Sequence, residues 1–174
     1  MIKNIKKVAV LGSGIMGTGI ACHLANVGIE VILLDMVPAD LESSKNKEER
    51  NKLVNTALKK AVKSKPAPLY VQSKLKNIIT GNFTDDMHKI NECDWIIEVV
   101  VERLDIKKII FEKVDIYRQK DSLVSSNTSG IPISSMLDDR SENFKKCFFG
   151  SHFFNPARYL KLLEIIPTKH TKNE

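Results

Sequence analysis

A glycine cluster between two apolar runs, GSGIMG at residues 12–17, constrains the fold of this chain more than any other stretch. The run at 8–11 before the cluster has the length of a strand, and a helical pattern follows the cluster and stops at Gly28. A second apolar run at 31–34 ends at Asp35. A glycine pattern alone is weak evidence, but strand, tight turn, helix and second strand with an acid at its tip form the full context of a dinucleotide-binding unit. The sequence therefore predicts a dinucleotide site near its N-terminus.

Each glycine of the cluster has a physical task in such a unit. Gly12 allows the tight turn after the strand, and Gly14 lets a pyrophosphate approach the backbone because it carries no Cβ. Gly17 lets the helix pack closely on the strand. The N-terminus of that helix presents free N–H groups and the positive end of a dipole to the phosphates.

Asp35 indicates which dinucleotide the unit prefers. A carboxylate at this position accepts hydrogen bonds from the adenine ribose and repels a 2′-phosphate. The next residues, at 36–38, contain no arginine that could hold such a phosphate, so we predict NAD rather than NADP. The residues predicted to hold the cofactor in this unit are Gly12, Ser13, Gly14, Ile15, Met16, Gly17 and Asp35. The alternative, a glycine-rich turn in an ordinary βαβ unit, is less favoured because all the parts stand in register.

Composition narrows the function classes. With 174 residues, 43% of them hydrophobic and 28% charged, the chain suits one globular domain. The three cysteines, Cys22, Cys93 and Cys147, are far apart and beside apolar residues, which favours reduced core thiols in a cytoplasmic protein and neither a metal site nor a disulfide framework. We expect no membrane span.

The net charge of +6 is concentrated at 45–76. This concentration fits a solvated helix face or a patch for a phosphorylated small molecule better than a nucleic-acid site.

The remaining pattern alternates strands with helices. It predicts an α/β, Rossmann-like doubly wound fold with a mainly parallel sheet. After the second strand, a long polar helix over 38–64 that ends before Pro66, with a second short helix at 69–75, predicts a helical arm over 38–76. Gly81 is expected to stop the strand that follows the arm. Later strands are expected at 95–101, 123–124, 147–154 and 160–166, and helices at 105–119 and 132–137.

His152 and Glu164 form a second candidate site, because each interrupts an apolar run in neighbouring predicted strands. An ionisable group in such a place needs a partner, and the two side chains can serve one another. A carboxylate on one ring nitrogen would orient the imidazole and leave the other nitrogen as a general base. From the residues alone, a hydrogen-bonded core histidine with an unrelated solvent-facing glutamate stays an equal alternative.

Four motifs in this order closely resemble the NAD-binding domain of the L-3-hydroxyacyl-CoA dehydrogenases, which are enzymes of fatty-acid β-oxidation. They are the dinucleotide unit, SNTS at 126–129, HFFNP at 152–156 and KLLE at 161–164. The resemblance extends from Lys6 to Ile166, and the long basic segment resembles the helical arm of that family, which reaches over coenzyme A.

The resemblance implies a role for each candidate residue. His152 would take the proton of the substrate 3-hydroxyl while C3 delivers hydride to NAD, and Glu164 would orient His152. Ser129 would bind the substrate near the reacting carbon, and Asn155 would contact the substrate or help to position these groups. Further family positions beside the nicotinamide half of NAD are Glu102, Lys107 and Ser129.

The resemblance also implies a larger protein. A helical C-terminal domain follows in this family, completes the acyl cleft and makes most of the homodimer contact. We therefore expect residues 1–174 to be a single NAD-binding domain of a longer, homodimeric enzyme. Ala57 and Ser64 stand where the family has polar and basic residues toward coenzyme A, so only the nearby lysines remain as generic candidates for that contact: Lys59, Lys60, Lys63 and Lys65.

Three other interpretations compete with a dehydrogenase acting on 3-hydroxyacyl-CoA. One is an NAD-dependent dehydrogenase of a small hydroxy acid or sugar acid, against which the basic arm argues weakly. A second is a non-catalytic NAD-binding or structural relative, which would not need the candidate catalytic residues to occur together. The third, a nucleic-acid-binding module, rests on charge alone.

Overall fold

The computed structural model describes residues 4–172, so both ends of the predicted 1–174 domain lie outside the described residues. Within these described residues, seven strands form one sheet: β1 (Lys7–Leu11), β2 (Glu30–Asp35), β3 (Ile78–Asn82), β4 (Trp95–Glu98), β5 (Leu123–Ser126), β6 (Phe148–Phe153) and β7 (Leu163–Pro167). Their spatial order is β3-β2-β1-β4-β5-β6-β7. All neighbouring pairs are parallel except β6 and β7, which are antiparallel. The predicted Rossmann-like fold with a mainly parallel sheet is confirmed.

The topology determines where a ligand can bind. Because the strands are parallel, the carboxyl ends of β1, β2, β4, β5 and β6 meet along one side of the sheet, which we call the carboxyl edge. The chain leaves β1 for β2 on one side and returns to β4 on the other. Ligands of open α/β sheets bind in the crevice outside such a switch point.

Helices cover both faces of the sheet. They are α1 (Ile15–Asn26), α2 (Lys47–Arg50), α3 (Lys52–Val62), α4 (Leu104–Tyr117) and α5 (Glu142–Cys147). On one face, Ile20 of α1 and Val54 of α3 pack with Val10 and Leu33 of the sheet. On the other face, helices α4 and α5 contribute to a second core that includes Phe111. The largely apolar central strands β1, β2 and β4 are buried along most of their length, as expected for a parallel sheet covered on both faces.

The arm differs from the single long helix predicted over 38–64. It consists of a 3₁₀ turn (Ala39–Leu41), the short helix α2 and then α3. The break arises because Asn46 caps α2 by accepting a hydrogen bond from the backbone N–H of Glu48 at 2.9 Å, which starts a new helix after a stretch without helix. The returning segment forms a 3₁₀ helix (Gln72–Asn77) in place of the helix expected at 69–75.

Three other element predictions need correction. Gly81 was expected to end a strand, but it lies inside β3, where a Cβ would come within 2.5 Å of a carboxylate oxygen of Asp86. Its missing side chain thus permits a close approach. Helix α5 was not predicted, although Ser141 caps it by accepting from the N–H of Phe144 at 3.1 Å. The helix expected at 132–137 is a short 3₁₀ helix (Ile133–Met136).

Two further features bear on the sequence interpretation. The three cysteines are free and buried, and burial raises the pKa of the Cys22 thiol to about 11 and that of Cys93 to about 12. Both thiols therefore stay protonated at neutral pH. Among the described residues, no helix combines the length and the apolar character that crossing a bilayer requires.

Candidate active site

The glycine loop has the shape of a dinucleotide cradle. Gly12 has a φ of +113°, and a Cβ there would lie 2.6 Å from the Val99 carbonyl oxygen at the end of β4. A Cβ on Gly17 would lie 1.9 Å from the carbonyl oxygen of Gly12. A Cβ on Gly14, in contrast, would meet no heavy atom within 4 Å. Gly12 and Gly17 thus keep the loop tight, while Gly14 leaves open the side from which a phosphate can approach.

Asp35 lies beside this loop at the end of β2. Its Oδ2 accepts hydrogen bonds from the backbone N–H of Ser13 at 2.6 Å and from the Ser13 hydroxyl at 2.5 Å. Its Oδ1 accepts from the N–H of Met36 at 2.7 Å. Three donors hold the carboxylate at the tip of the second strand, next to the turn. The structure thereby brings together the seven residues predicted for the adenine and pyrophosphate half of the site.

A buried charge cluster lies at the end of β4, on the other side of the glycine loop. The Lys107 ammonium donates to Glu98 Oε1 at 2.7 Å and lies 3.3 Å from Glu102 Oε2. Lys107 and Glu98 are almost wholly buried, whereas 43% of the Glu102 side chain is exposed. Glu102 therefore stands between the buried Lys107 ammonium and the open side of the site. We call these three residues the β4 charge cluster.

The loop after β5 completes the surroundings of Glu102. Its Oε1 accepts from the Thr128 hydroxyl, from the N–H of Ser129 at 3.1 Å and from the N–H of Gly130 at 2.9 Å. Burial opposes ionisation, but these bonds and the Lys107 ammonium together lower the pKa of Glu102 to about 2. The carboxylate is therefore charged throughout the neutral range, and it fixes the backbone of Ser129.

Glu98 behaves in the opposite way. Burial raises the pKa of Glu98. The Lys107 ammonium and hydrogen bonds from the Ser126 hydroxyl and the Val100 N–H act to lower it but do not outweigh burial. Sequence reasoning treated Glu98 only as an interruption of an apolar run. An acid inside an otherwise buried strand, nine positions before a lysine on the following helix, was the signal that could have identified the pair.

His152 and Glu164 are paired. They face each other across β6 and β7, and His152 Nδ1 lies 2.9 Å from Glu164 Oε2. Of the two side chains, 22% of His152 and 48% of Glu164 are exposed, so the pair lies at the surface and not in the core. The predicted contact is present, and His152 stands at the carboxyl end of a strand in the same parallel set as β1.

Asn155 shares a cavity with the glycine loop. The cavity has a volume of about 540 Å³ and lies between the loop, the start of α1, helix α3 and the turn after β6. Its walls include Ser13, Gly14, Lys60, Lys65 and Asn155. Two of the four arm lysines singled out from the sequence thus line a space that also reaches the turn following His152.

Similarity to known proteins identifies the family of this chain. The family model for the NAD-binding domain of 3-hydroxyacyl-CoA dehydrogenase matches residues 7–174. The chain belongs to this family. A probable 3-hydroxyacyl-CoA dehydrogenase of Bacillus subtilis is 56% identical, with 98% of this chain and 23% of that protein covered. Human mitochondrial hydroxyacyl-coenzyme A dehydrogenase is 33% identical over 98% of this chain and 53% of its own length.

Solved structures agree with the family assignment. Escherichia coli 3-hydroxybutyryl-CoA dehydrogenase superposes with a TM-score of 0.72 at 29% identity, over 98% of this chain and 34% of that one. (S)-3-hydroxybutyryl-CoA dehydrogenase from Ralstonia eutropha gives 0.73 at 27% identity, over 98% and 56%. The chain thus spans from less than a quarter to little more than half of these relatives.

The cofactor of this 3-hydroxyacyl-CoA dehydrogenase domain is NAD, and the residues present suit it. The open side of Gly14 and the N-terminus of α1, whose N-cap has no side-chain hydrogen bond, offer room and N–H donors for a pyrophosphate. The Asp35 carboxylate offers acceptors for ribose hydroxyls and a charge that disfavours a 2′-phosphate. The residues around the glycine loop therefore fit NAD.

Proposed function

We propose that this chain oxidises L-3-hydroxyacyl-CoA to 3-ketoacyl-CoA with NAD, in fatty-acid β-oxidation. The observation that carries the proposal is the His152–Glu164 pair at the carboxyl edge that also holds the glycine loop. A base oriented by a carboxylate beside an NAD cradle is what oxidation of a secondary alcohol requires. The family membership and the names of the relatives support the choice of substrate.

The hydrogen bond to Glu164 determines what His152 can do. A carboxylate only accepts, so Nδ1 donates to it and the lone pair of a neutral imidazole is left on Nε2. Nε2 takes the proton of the substrate hydroxyl, and the C3–H electron pair leaves as hydride while the C3–O bond becomes a carbonyl. NAD, when bound, supplies the hydride acceptor. Glu164 stabilises the imidazolium that forms, as the acid of a catalytic triad does.

The other candidate residues position the two ligands. Ser129, whose backbone is fixed by Glu102, would bind the substrate near C3. Asn155 would hold the substrate or the neighbouring groups from the turn after β6. Glu102, with Lys107 behind it, would accept hydrogen bonds in the nicotinamide half of the cofactor site. Precise placement of this kind is a large part of how such a site lowers a barrier.

The cavity supports a coenzyme A thioester over the small hydroxy acid or sugar acid that remains the alternative substrate. Lys60 and Lys65 of the arm line a space that is also bounded by the glycine loop. Positive side chains of this kind suit phosphate groups. A small hydroxy acid would leave most of this space, and both lysines, without a function.

We also propose that a helical C-terminal domain completes the acyl cleft and that the whole enzyme is a homodimer. The relatives that the chain matches are two to four times its length, since it covers 53% of the human protein and 23% of the Bacillus subtilis one. Six exposed apolar side chains within residues 159–166 agree with a further partner at this surface.

The experiment that tests the function replaces His152 by glutamine in the full-length gene product. We expect His152→Gln to lower acetoacetyl-CoA-dependent oxidation of NADH by a factor on the order of 10²–10⁴, which is the usual contribution of a general acid or base. The affinity for NADH, measured by fluorescence titration, should stay unchanged because His152 lies outside the dinucleotide loop.

His170→Gln is the matched control, since His170 is an exposed histidine of the C-terminal turn, and it should keep full turnover. Equal turnover in the His152 variant would remove this residue from the mechanism. If the unmodified protein oxidised NADH with a small keto acid and not with acetoacetyl-CoA, the alternative substrate would be favoured.

A further inference from the structure

A strong contact joins two segments that are far apart in sequence. One is the turn between β6 and β7, residues 154–162, which we call the β6–β7 loop. The other is residues 66–70 of the arm, which follow helix α3 and which we call the post-α3 segment. The Arg158 guanidinium of the loop donates from Nη1 to the carbonyl oxygen of Ala67 at 2.6 Å and to that of Leu69 at 3.1 Å.

Two tyrosines reinforce this joint. The Arg158 Cζ lies 4.0 Å from the centroid of the Tyr70 ring and 4.9 Å from that of Tyr159. The Tyr159 hydroxyl also donates to the carbonyl oxygen of Ala67 at 3.1 Å. A planar guanidinium that holds two carbonyls and stacks on aromatic rings makes a stiff connection, which a lysine would not reproduce. We call Arg158, Tyr159 and Tyr70 the Arg158 clamp.

The post-α3 segment is anchored from its other side as well. The side-chain amide of Asn26, which is buried at the end of α1, donates to the Pro68 carbonyl at 2.8 Å and accepts from the Tyr70 N–H at 2.8 Å. The clamp therefore ties the β6–β7 loop to a point that is fixed to the body of the domain at the base of the arm.

The clamp also connects two walls of the cavity. Lys65, Pro66 and Pro68 line it on one side, and Asn155 through Tyr159 line it on the other. A ligand in this space touches the arm and the β6–β7 loop together. The same loop begins directly after the strand that carries His152 and ends at the strand that carries Glu164.

We propose that Arg158 is a positioning residue that transmits binding of the coenzyme A part of the substrate to the loop between His152 and Glu164. The inference rests on the proposed function, since it requires a coenzyme A ligand in the cavity. Binding energy from a part of the substrate remote from the reacting carbon is then used to place the proton-transfer pair. With Arg158 present, the two walls move as one unit.

Coenzyme A itself, without an acyl group, is the probe for this coupling in the 174-residue chain. Its binding is measured by calorimetry, and the ring signals of the four histidines are followed by NMR, with His152→Gln used to assign one of them. We expect coenzyme A to shift the His152 signal in the unmodified chain. In Arg158→Met, coenzyme A should still bind, while the His152 signal should lose most of its shift.

Arg140→Met is the control, because Arg140 also binds a backbone carbonyl, that of Asp138, at 3.2 Å but lies outside the cavity lining. It should behave like the unmodified chain. Tyr70→Leu is a second test variant, which removes the exposed ring from the clamp and leaves both carbonyl contacts. It should reduce the shift, and it carries the test if Arg158→Met fails to fold.

Each outcome decides one of the two proposals. A full His152 shift in both Arg158→Met and Tyr70→Leu would overturn the coupling, as would binding to the unmodified chain without any His152 shift. Loss of coenzyme A binding in Arg158→Met would make Arg158 a direct ligand contact and not a positioning residue. If the unmodified chain binds NADH but no coenzyme A, the ligand that the inference requires is missing from the cavity and the inference fails, while the His152→Gln experiment on the full-length gene product still tests the proposed function.

Discussion

At the scale of single residues, burial and hydrogen-bond partners shift the pKa values of the two acids of the β4 charge cluster in opposite directions. Glu98 and Glu102 share the Lys107 ammonium, yet burial raises the pKa of Glu98 while hydrogen bonds and Lys107 bring that of Glu102 to about 2. The inner acid is the closest counter-charge of the buried Lys107 ammonium, whose other partner is the half-exposed Glu102. The outer acid stays charged and available at the surface of the site.

This arrangement predicts a large stability effect from a small change. Glu98→Gln leaves Lys107 buried without its closest counter-charge, and removing one partner of a buried ion pair costs about 3–5 kcal/mol. We expect a loss of that size in the free energy of unfolding, measured by urea titration. Glu112→Gln, the same substitution on the exposed side of α4, should change it by less than about 0.5 kcal/mol. Equal effects of the two substitutions would show that the pair does not stabilise the fold.

The contacts that the sequence could predict and those that it could not differ in how far apart their residues are along the chain. His152 and Glu164 were predictable because both interrupt apolar strand patterns that are close in the chain, and antiparallel neighbours place such residues opposite each other. The Arg158 contact with Ala67 spans 91 positions. Nothing local in either segment indicates it, because it arises only when the arm folds back over α1.

At the scale of elements, the first βαβ unit was predicted correctly, whereas the arm was predicted at the right place but as one long helix. The unit is specified by local features: a glycine turn, apolar runs of strand length and a terminating glycine. In the arm, the polar pattern at 38–64 is compatible with helix throughout. The competing cap at Asn46 and the ion pair of Arg50 with Asp85, at 2.7 Å, break it and hold α2 against the loop after β3. The second of these contacts is tertiary, and no periodicity can show it.

The glycine loop yields a prediction about an element with two separable functions. Gly17→Ala would force a Cβ to within 1.9 Å of the Gly12 carbonyl oxygen, so α1 must move from β1. We expect destabilisation of about 1–3 kcal/mol, the usual cost of overpacking. Gly14→Ala meets no protein atom within 4 Å, so it should keep the midpoint of thermal unfolding and weaken NADH binding. Thermal melts and NADH titration separate the two, and reduced stability in Gly14→Ala with normal NADH affinity would contradict this division.

At the scale of the whole molecule, the two edges of the sheet differ in what they expose. Strand β7 is solvent-exposed along its whole length, and it belongs to a segment of apolar side chains that are each at least 40% exposed: Tyr159, Leu160, Leu162, Leu163, Ile165 and Ile166. At the opposite edge, β3 is half-buried under the arm. A strip with this many exposed apolar side chains is characteristic of a surface that another domain or subunit covers.

If the proposed helical domain covers this strip, amide hydrogen exchange should report it. We expect the amides of 159–166 to exchange at least about tenfold more slowly in the full-length gene product than in the 174-residue chain, because burial under a second domain suppresses local opening. Strand β3 is the internal control and should exchange at the same rate in both, since the arm that covers it is present in each. Equal exchange at 159–166 in the two proteins would mean that the strip faces solvent in both. The proposed covering domain would then have to contact this one elsewhere, and the acyl cleft would not be completed at β7.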